Sequence, residues 1–182
     1  MKKFLLVLLL FSFSSAAFAL EPRSGLVIDI AGGYTPSILA TDSGISRAGY
    51  IGYQFNSVFS VEGGYTSLLN QANSGSSSVV SIGGPEIAGF IRFRINDRVS
   101  PFIRVGFTKM ALKETSTGGA STIENIYGPS YGLGLQFYET DNLSLRFGYN
   151  AYNLQTTNDY NVQAGIPINT SNAYIALVIQ FK

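Results

Sequence analysis

Charged side chains are sparse in this chain, and five of them must be explained. Asp29, Glu62, Arg92, Arg104 and Arg146 each lie within a stretch that otherwise alternates apolar with small or polar residues. Period-two alternation puts successive side chains on opposite faces of a β-strand, so all five fall on the polar faces of their segments. The chemistry open to such a set is limited. The chain has no His and no Cys, which excludes His-dependent hydrolysis, thiol chemistry and ordinary zinc sites. The glycine pairs Gly32-Gly33, Gly63-Gly64 and Gly83-Gly84 do not match a phosphate loop and read as close backbone packing. No catalytic residue, cofactor or metal ligand is therefore expected. Two acids and three arginines can, however, pair, because a charge removed from water needs a counter-charge. The expectation is a salt-bridge network around Glu62, joined by Asp29, Arg92, Arg104 and Arg146. The alternative is that the arginines line a path for anions.

The elements that hold these charges are alternating segments of roughly nine to eleven residues, the length of a tilted membrane-spanning strand. They run over Gly25–Tyr34, Ile45–Phe55, Phe59–Ser67, Ile87–Ile95, Val99–Ala111, Ser130–Tyr138, Leu143–Tyr152 and Asn172–Phe181. Val79–Glu86 either extends the fourth strand or is loop, with Pro85 set against regular pairing. In each segment the larger side chains share the apolar face, as with Leu143, Leu145, Phe147 and Tyr149 opposite Ser144, Arg146 and Asn150. A soluble barrel would place the apolar face inside. Here that face is too bulky and the other too charged, so the apolar face must meet lipid and the small and charged face must fill a lumen. Closure removes the strand edges that a bilayer does not tolerate. The fold expected is all-β: an antiparallel, eight-stranded, transmembrane up-and-down β-barrel, with an interior just wide enough for side chains.

The connections alternate in length. Asn56-Ser57-Val58, Asn96-Asp97-Arg98 and Glu139 to Asn142 are tight turns, whereas Tyr34 to Gly44, Leu68 to Ser78, Lys113 to Glu124 and Asn153 to Ser171 are long and polar. Short turns at one end and long loops at the other give such barrels their sidedness. Tyr34, Tyr53, Phe55, Tyr65, Phe137, Tyr149 and Phe181 lie near strand ends, where interfacial aromatic girdles form.

Export is written at the N-terminus. Lys2 and Lys3 precede an apolar run from Phe4 to Phe13, and Ala17-Phe18-Ala19 has the small-x-small form of a cleavage site. Residues 1–19 are expected to be a Sec signal peptide and residues 20–182 the barrel domain. Without Lys2 and Lys3, the balance of 12 basic and 11 acidic residues becomes slightly negative, which gives no reason to expect nucleic acid as a partner.

Gly52-Tyr53-Gln54-Phe55-Asn56 followed by Val61-Glu62-Gly63-Gly64-Tyr65 resembles the strand two to three hairpin of the OmpA-like and OmpX-like small outer-membrane barrels. Val99-Ser100-Pro101-Phe102 to Gly106 resembles their fifth strand, and Leu143-Ser144-Leu145-Arg146-Phe147-Gly148-Tyr149 their seventh. No periplasmic peptidoglycan-binding domain is expected after the last strand, and Phe181 is followed by Lys182 where the family commonly ends in an aromatic residue. The resemblance implies a monomer in the bacterial outer membrane, in contact with lipid and lipopolysaccharide and inserted by the barrel-assembly machinery. It also implies lumenal ion pairs; small-barrel enzymes that resemble the chain rely on a His, which it lacks, so no enzymatic activity is expected. Three functions remain open: an envelope protein whose loops contact a host or surface ligand, a narrow channel for small solutes, and a soluble periplasmic lipocalin-like carrier.

Overall fold

A computed structural model of the protein describes residues 23–36, 43–72, 78–116, 121–156 and 167–182. The expected signal segment and the tips of the four long connections lie outside the described residues. Eight strands are present: β1 Gly25–Thr35, β2 Gly44–Gln54, β3 Phe59–Ala72, β4 Ser78–Arg92, β5 Val99–Ser116, β6 Ser121–Tyr138, β7 Leu143–Thr156 and β8 Pro167–Phe181. Each pairs antiparallel with its neighbour in sequence, and β8 closes on β1 from Leu26 opposite Phe181 to Tyr34 opposite Ala173. The fold is the closed, antiparallel, eight-stranded barrel that the alternation predicts.

Local chemistry fixes the tight turns. The Asn56 side-chain carbonyl accepts the backbone N–H groups of Val58 and Phe59, both at 2.8 Å. Asn96 does the same for Arg98 and Val99 at 2.9 and 2.8 Å. The Thr140 hydroxyl accepts from Asn142 and Leu143 at 3.3 and 3.0 Å. These side chains satisfy donors that the reversing backbone leaves unpaired, so each hairpin register is set at this turn end of the barrel.

At the other, loop end the strands run further than the alternation alone suggests. Ser78–Glu86 is strand, and Pro85 is accommodated because the ladder between β4 and β5 lapses around it: pairing passes from Gly83–Ala111 to Glu86–Thr108. The Thr108 hydroxyl donates to the Pro85 carbonyl at 2.9 Å instead. Gly84 is required at this point, since a Cβ there would come within 2.1 Å of the Lys109 carbonyl oxygen. A bulge between Ser67 and Leu69 shifts the β3–β4 register, which lets β3 bend as it leaves the belt.

Polarity reverses along the barrel. Over the lower strands Ile30, Ile51, Val61, Ile87, Ile103, Val105, Leu133, Leu135, Ile175 and Leu177 face outward and are exposed. Outward aromatics bound this belt: Tyr53, Phe55, Phe59, Phe93 and Phe181 toward the turn end, Tyr34, Tyr65, Phe107, Tyr131 and Tyr149 toward the loop end. Beyond the second group, the exposed outward positions include Lys109, Lys113, Asn125, Asn153 and Asn169, while the interior becomes apolar. There Leu68, Ile82, Met110, Ile126, Tyr152, Leu154 and Ile168 form one buried cluster, with Leu112 packed against it. The section that must lie in lipid is inside-out, whereas the collar beyond it has an apolar core and an outer face that mixes polar side chains with exposed Ile123 and Tyr127. The expected lumen of small and charged residues is confined to the lower section, and even there Phe90 and Phe102 pack against each other inside it, ring centres 5.6 Å apart.

Candidate functional site

The small side chains on the inward faces of the lower strands leave room for a few long polar ones, and the lumen is built from these. Asp29 enters from β1, Glu62 from β3, Arg92 from the end of β4, Arg104 from β5 and Arg146 from β7; all five are buried. Arg146 is the hub. Its Nη1 and Nη2 meet Glu62 Oε2 and Oε1, both at 3.0 Å, and Nη1 also meets Asp29 Oδ2 at 2.6 Å. The forked contact with Glu62 uses the planar match between guanidinium and carboxylate. Arg92 adds a contact from Nη2 to Glu62 Oε1 at 3.3 Å and donates from Nε to Gln136 Oε1 at 3.0 Å. Ser60 donates to Glu62 Oε1 at 3.2 Å, and Gln136 passes the chain on to Ser144 at 2.8 Å.

Arg104 is not part of this group. It pairs with Glu86, Nη2 to Oε1 at 2.8 Å. The same carboxylate accepts from Ser130 at 2.6 Å, Tyr50 at 2.7 Å and Thr66 at 2.9 Å. Arg104 Nη1 also donates to the Ser130 hydroxyl at 3.2 Å. The single network expected around Glu62 is thus two clusters, with Arg104 in the one nearer the loop end. The physical reason is reach: Glu86 lies on β4, the strand hydrogen-bonded to the β5 strand that carries Arg104, and its register partner Thr108 is four residues further along β5. Phe90 lies between the clusters, its ring centre 4.3 Å from the Arg146 guanidinium, 5.4 Å from that of Arg92 and 5.7 Å from that of Arg104. It therefore offers three cations the negative face of one ring.

Glu86, Tyr50, Gln136 and Phe90 were missed by sequence reasoning. Glu86 sat in the segment whose strand character Pro85 made doubtful. Charge balance was the available signal: three lumenal arginines against Asp29 and Glu62 leave one buried cation without a partner, and burial demands another acid. In the structure three guanidinium groups face three carboxylates.

Little space is left. A cavity of ≈10 Å³ remains among Asp29, Ser46, Tyr50, Arg146, Asn172 and Tyr174, about the room of one water molecule. Among the described residues no group of three or more acidic side chains is arranged to hold a metal ion.

An apolar outer wall bounded by aromatic residues, around a lumen filled with paired charges, defines a transmembrane β-barrel. Residues 4–181 match the outer membrane protein beta-barrel domain family, and the chain belongs to that family of bacterial outer-membrane proteins. The fold is shared with neisserial surface protein A at a TM-score of 0.67 and 15% identity, over 86% of this chain and 96% of that one. Ail, the attachment invasion locus protein of Yersinia pestis, superposes with a TM-score of 0.60 at 18% identity, covering 89% of this chain and 100% of its own. The N-terminal β-barrel domain of Pseudomonas aeruginosa OprF gives 0.57 at 12% identity, over 85% and 98%. No curated protein sequence matches the chain.

Proposed function

We propose that the protein is a closed, non-conducting barrel whose turn end faces the periplasm and whose collar holds the long connections outside the cell, where they contact host or environmental surfaces. The observation that carries this reading is the double filling of the lumen. The charged clusters occupy the membrane section, and the apolar cluster around Met110 and Ile126 fills the collar. A filled lumen does not conduct solutes, and the arginines do not form a free anion ladder, because each has a carboxylate partner. A carrier of hydrophobic ligands needs an apolar lumen open to its ligand, whereas this collar is closed by packing. Rigid strands that extend past the belt place the connections clear of the lipid, and loops on a rigid scaffold are where binding residues concentrate. Ail, named for attachment and invasion, shows that this fold occurs in surface proteins of that kind, and the likeness is to the fold alone.

The lumenal network of Asp29, Glu62, Arg92, Arg104 and Arg146, completed by Glu86, is assigned a structural role as the plug. No catalysis and no cofactor are assigned: the sequence offers neither His nor Cys as a nucleophile, base or soft ligand. Export by a Sec signal over residues 1–19, insertion by the assembly machinery and a monomeric state complete the reading. Two measurements test it. Planar-bilayer recording should show no steady conductance for the purified barrel. Cells displaying the barrel with residues 73–77, 117–120 and 157–166 replaced by short Gly-Ser turns should lose attachment to matrix-coated surfaces. Steady ohmic conductance would establish the channel instead, and undiminished attachment would remove the loops from function.

A further inference from the structure

The turn-end floor of the lumen is short of hydrogen-bond acceptors. Arg23 at Nη1, Gln54 at Nε2, Arg92 at Nη1 and Gln180 at Nε2 each keep a buried N–H group without a partner, and the buried Ser57 hydroxyl has none either. Gln54, Arg92 and Gln180 are at most 5% exposed. The side-chain oxygens left over in the same way, Asp29 Oδ1, Asn150 Oδ1 and Asn172 Oδ1, lie further toward the loop end. Register gathers the donors. Gln54 is opposite Gly25 on one side of β1 and Gln180 opposite Val27 on the other, and Gly25 puts no side chain between them. Arg23, two residues before Gly25, crosses the mouth to lay its guanidinium 4.1 Å from the ring centre of Tyr138 on β6. Arg92 enters from the end of β4, where its N–H meets the carbonyl of Val58, next to Ser57, at 2.8 Å. Glu62 and Gln136 take its Nη2 and Nε.

We propose that this floor binds one small monovalent anion of the chloride class, held by Arg23, Gln54 and Gln180. Two independent features select it. The first is donor chemistry: a guanidinium can only donate, and a buried donor left unmade is costly, so the occupant must accept from several directions. The second is charge. Arg92, Arg104 and Arg146 are matched inside by Glu62, Glu86 and Asp29. Arg23 adds a fourth cation, its side chain 13% exposed, and its carboxylate partner is Asp141 at 3.7 Å, which is 69% exposed and also meets Lys182 at 3.3 Å. An exposed, shared partner neutralises little, so the floor carries a surplus of one positive charge. A water molecule accepts from the same donors but leaves that surplus, and a divalent oxyanion overshoots it. The anion completes the filling of the lumen at its turn end.

The test titrates the full barrel in liposomes with urea at rising chloride, with gluconate replacing chloride so that ionic strength stays constant. Above its dissociation constant, one site on the folded state raises the folded-to-unfolded ratio about tenfold for each tenfold rise in chloride, and the wild-type barrel should show that slope. Arg23→Gln removes the surplus charge and should flatten it. Gln54→Glu sets a carboxylate among the same donors; it should flatten the slope too, and in gluconate it should be more stable than wild type. Heat-dependent mobility in SDS shows that each variant is folded. Crystals grown in bromide should give an anomalous peak in contact with Arg23 and Gln180. A wild-type barrel without chloride dependence would assign the floor to water and overturn the proposal. Equal slopes in all three barrels, a salt effect outside the site, or bromide bound only elsewhere would overturn it as well.

Discussion

Replacing Glu62 with alanine is the sharpest perturbation of the lumen. The carboxylate receives two contacts from Arg146 at 3.0 Å and one from Arg92 at 3.3 Å, and all three side chains are at most 1% exposed. At ~3 Å and an effective dielectric near 20, each charge pair is worth about 5 kcal/mol of attraction. Most of that offsets the cost of removing the ions from water. The net effect of deleting one partner is dominated by the guanidinium left behind, about 3–5 kcal/mol. Arg146 keeps Asp29 at 2.6 Å, so the abandoned group is chiefly Arg92, which retains Gln136 and the Phe90 ring. The loss should therefore fall toward the lower end, about 3 kcal/mol. Glu62→Gln, which keeps an acceptor in place, should lose less, about 2 kcal/mol. Glu62→Ala with Arg92→Ala should recover part of the loss, with a coupling of about 1–3 kcal/mol. Urea titration of the barrel in liposomes, followed by heat-dependent mobility in SDS, measures all three, and bilayer recording of the same samples reports whether the lumen has opened. A Glu62→Ala barrel within about 1 kcal/mol of wild type would show that the network does not stabilise the barrel.

Other perturbations separate the remaining parts. Glu86→Ala should cost about 3–5 kcal/mol in the same titration through Arg104, nearly additively with Glu62→Ala if the clusters are independent. Strong non-additivity would make Phe90 an energetic bridge. In the collar, Met110→Ser should cost about 2–5 kcal/mol and speed protease cleavage of the long connections, while hydrogen exchange of the lower strands stays unchanged. Gly84→Ala should destabilise the barrel, because its Cβ meets the Lys109 carbonyl oxygen, whereas Gly32→Ala, with nothing within 4 Å, should be neutral or slightly stabilising. Equal effects of the two on thermal denaturation would show that the close β4–β5 approach does not constrain the sequence. Leu133→Arg on the outer wall should cost about 2–4 kcal/mol if that face lies near the bilayer midplane, and an unchanged folding yield in liposomes would place it outside the hydrocarbon.

The sequence by itself determined the membrane section. Period-two alternation is a local property, and a mid-strand charge such as Arg146 or Glu62 on the face opposite the bulky residues leaves only one way to orient the sheet. The hairpin ends were equally legible, because Asn56, Asn96 and Thr140 close their turns with neighbours two and three residues away. What tertiary structure decided was long-range. Which acid meets which arginine depends on closure and register: Arg146 reaches Asp29 across 117 positions of chain and Glu62 across 84, so no spacing rule could assign Arg104 to Glu86 rather than Glu62. The collar was hidden for a related reason. Leu68, Ile82, Met110 and Ile126 alternate no differently from the belt residues, and only their position beyond the aromatic boundary makes the inward face the apolar one. Pro85 masked β4 because a missing N–H argues against a strand, and only the closed barrel shows that the ladder can lapse there while the β3 side holds Pro85 opposite Tyr65.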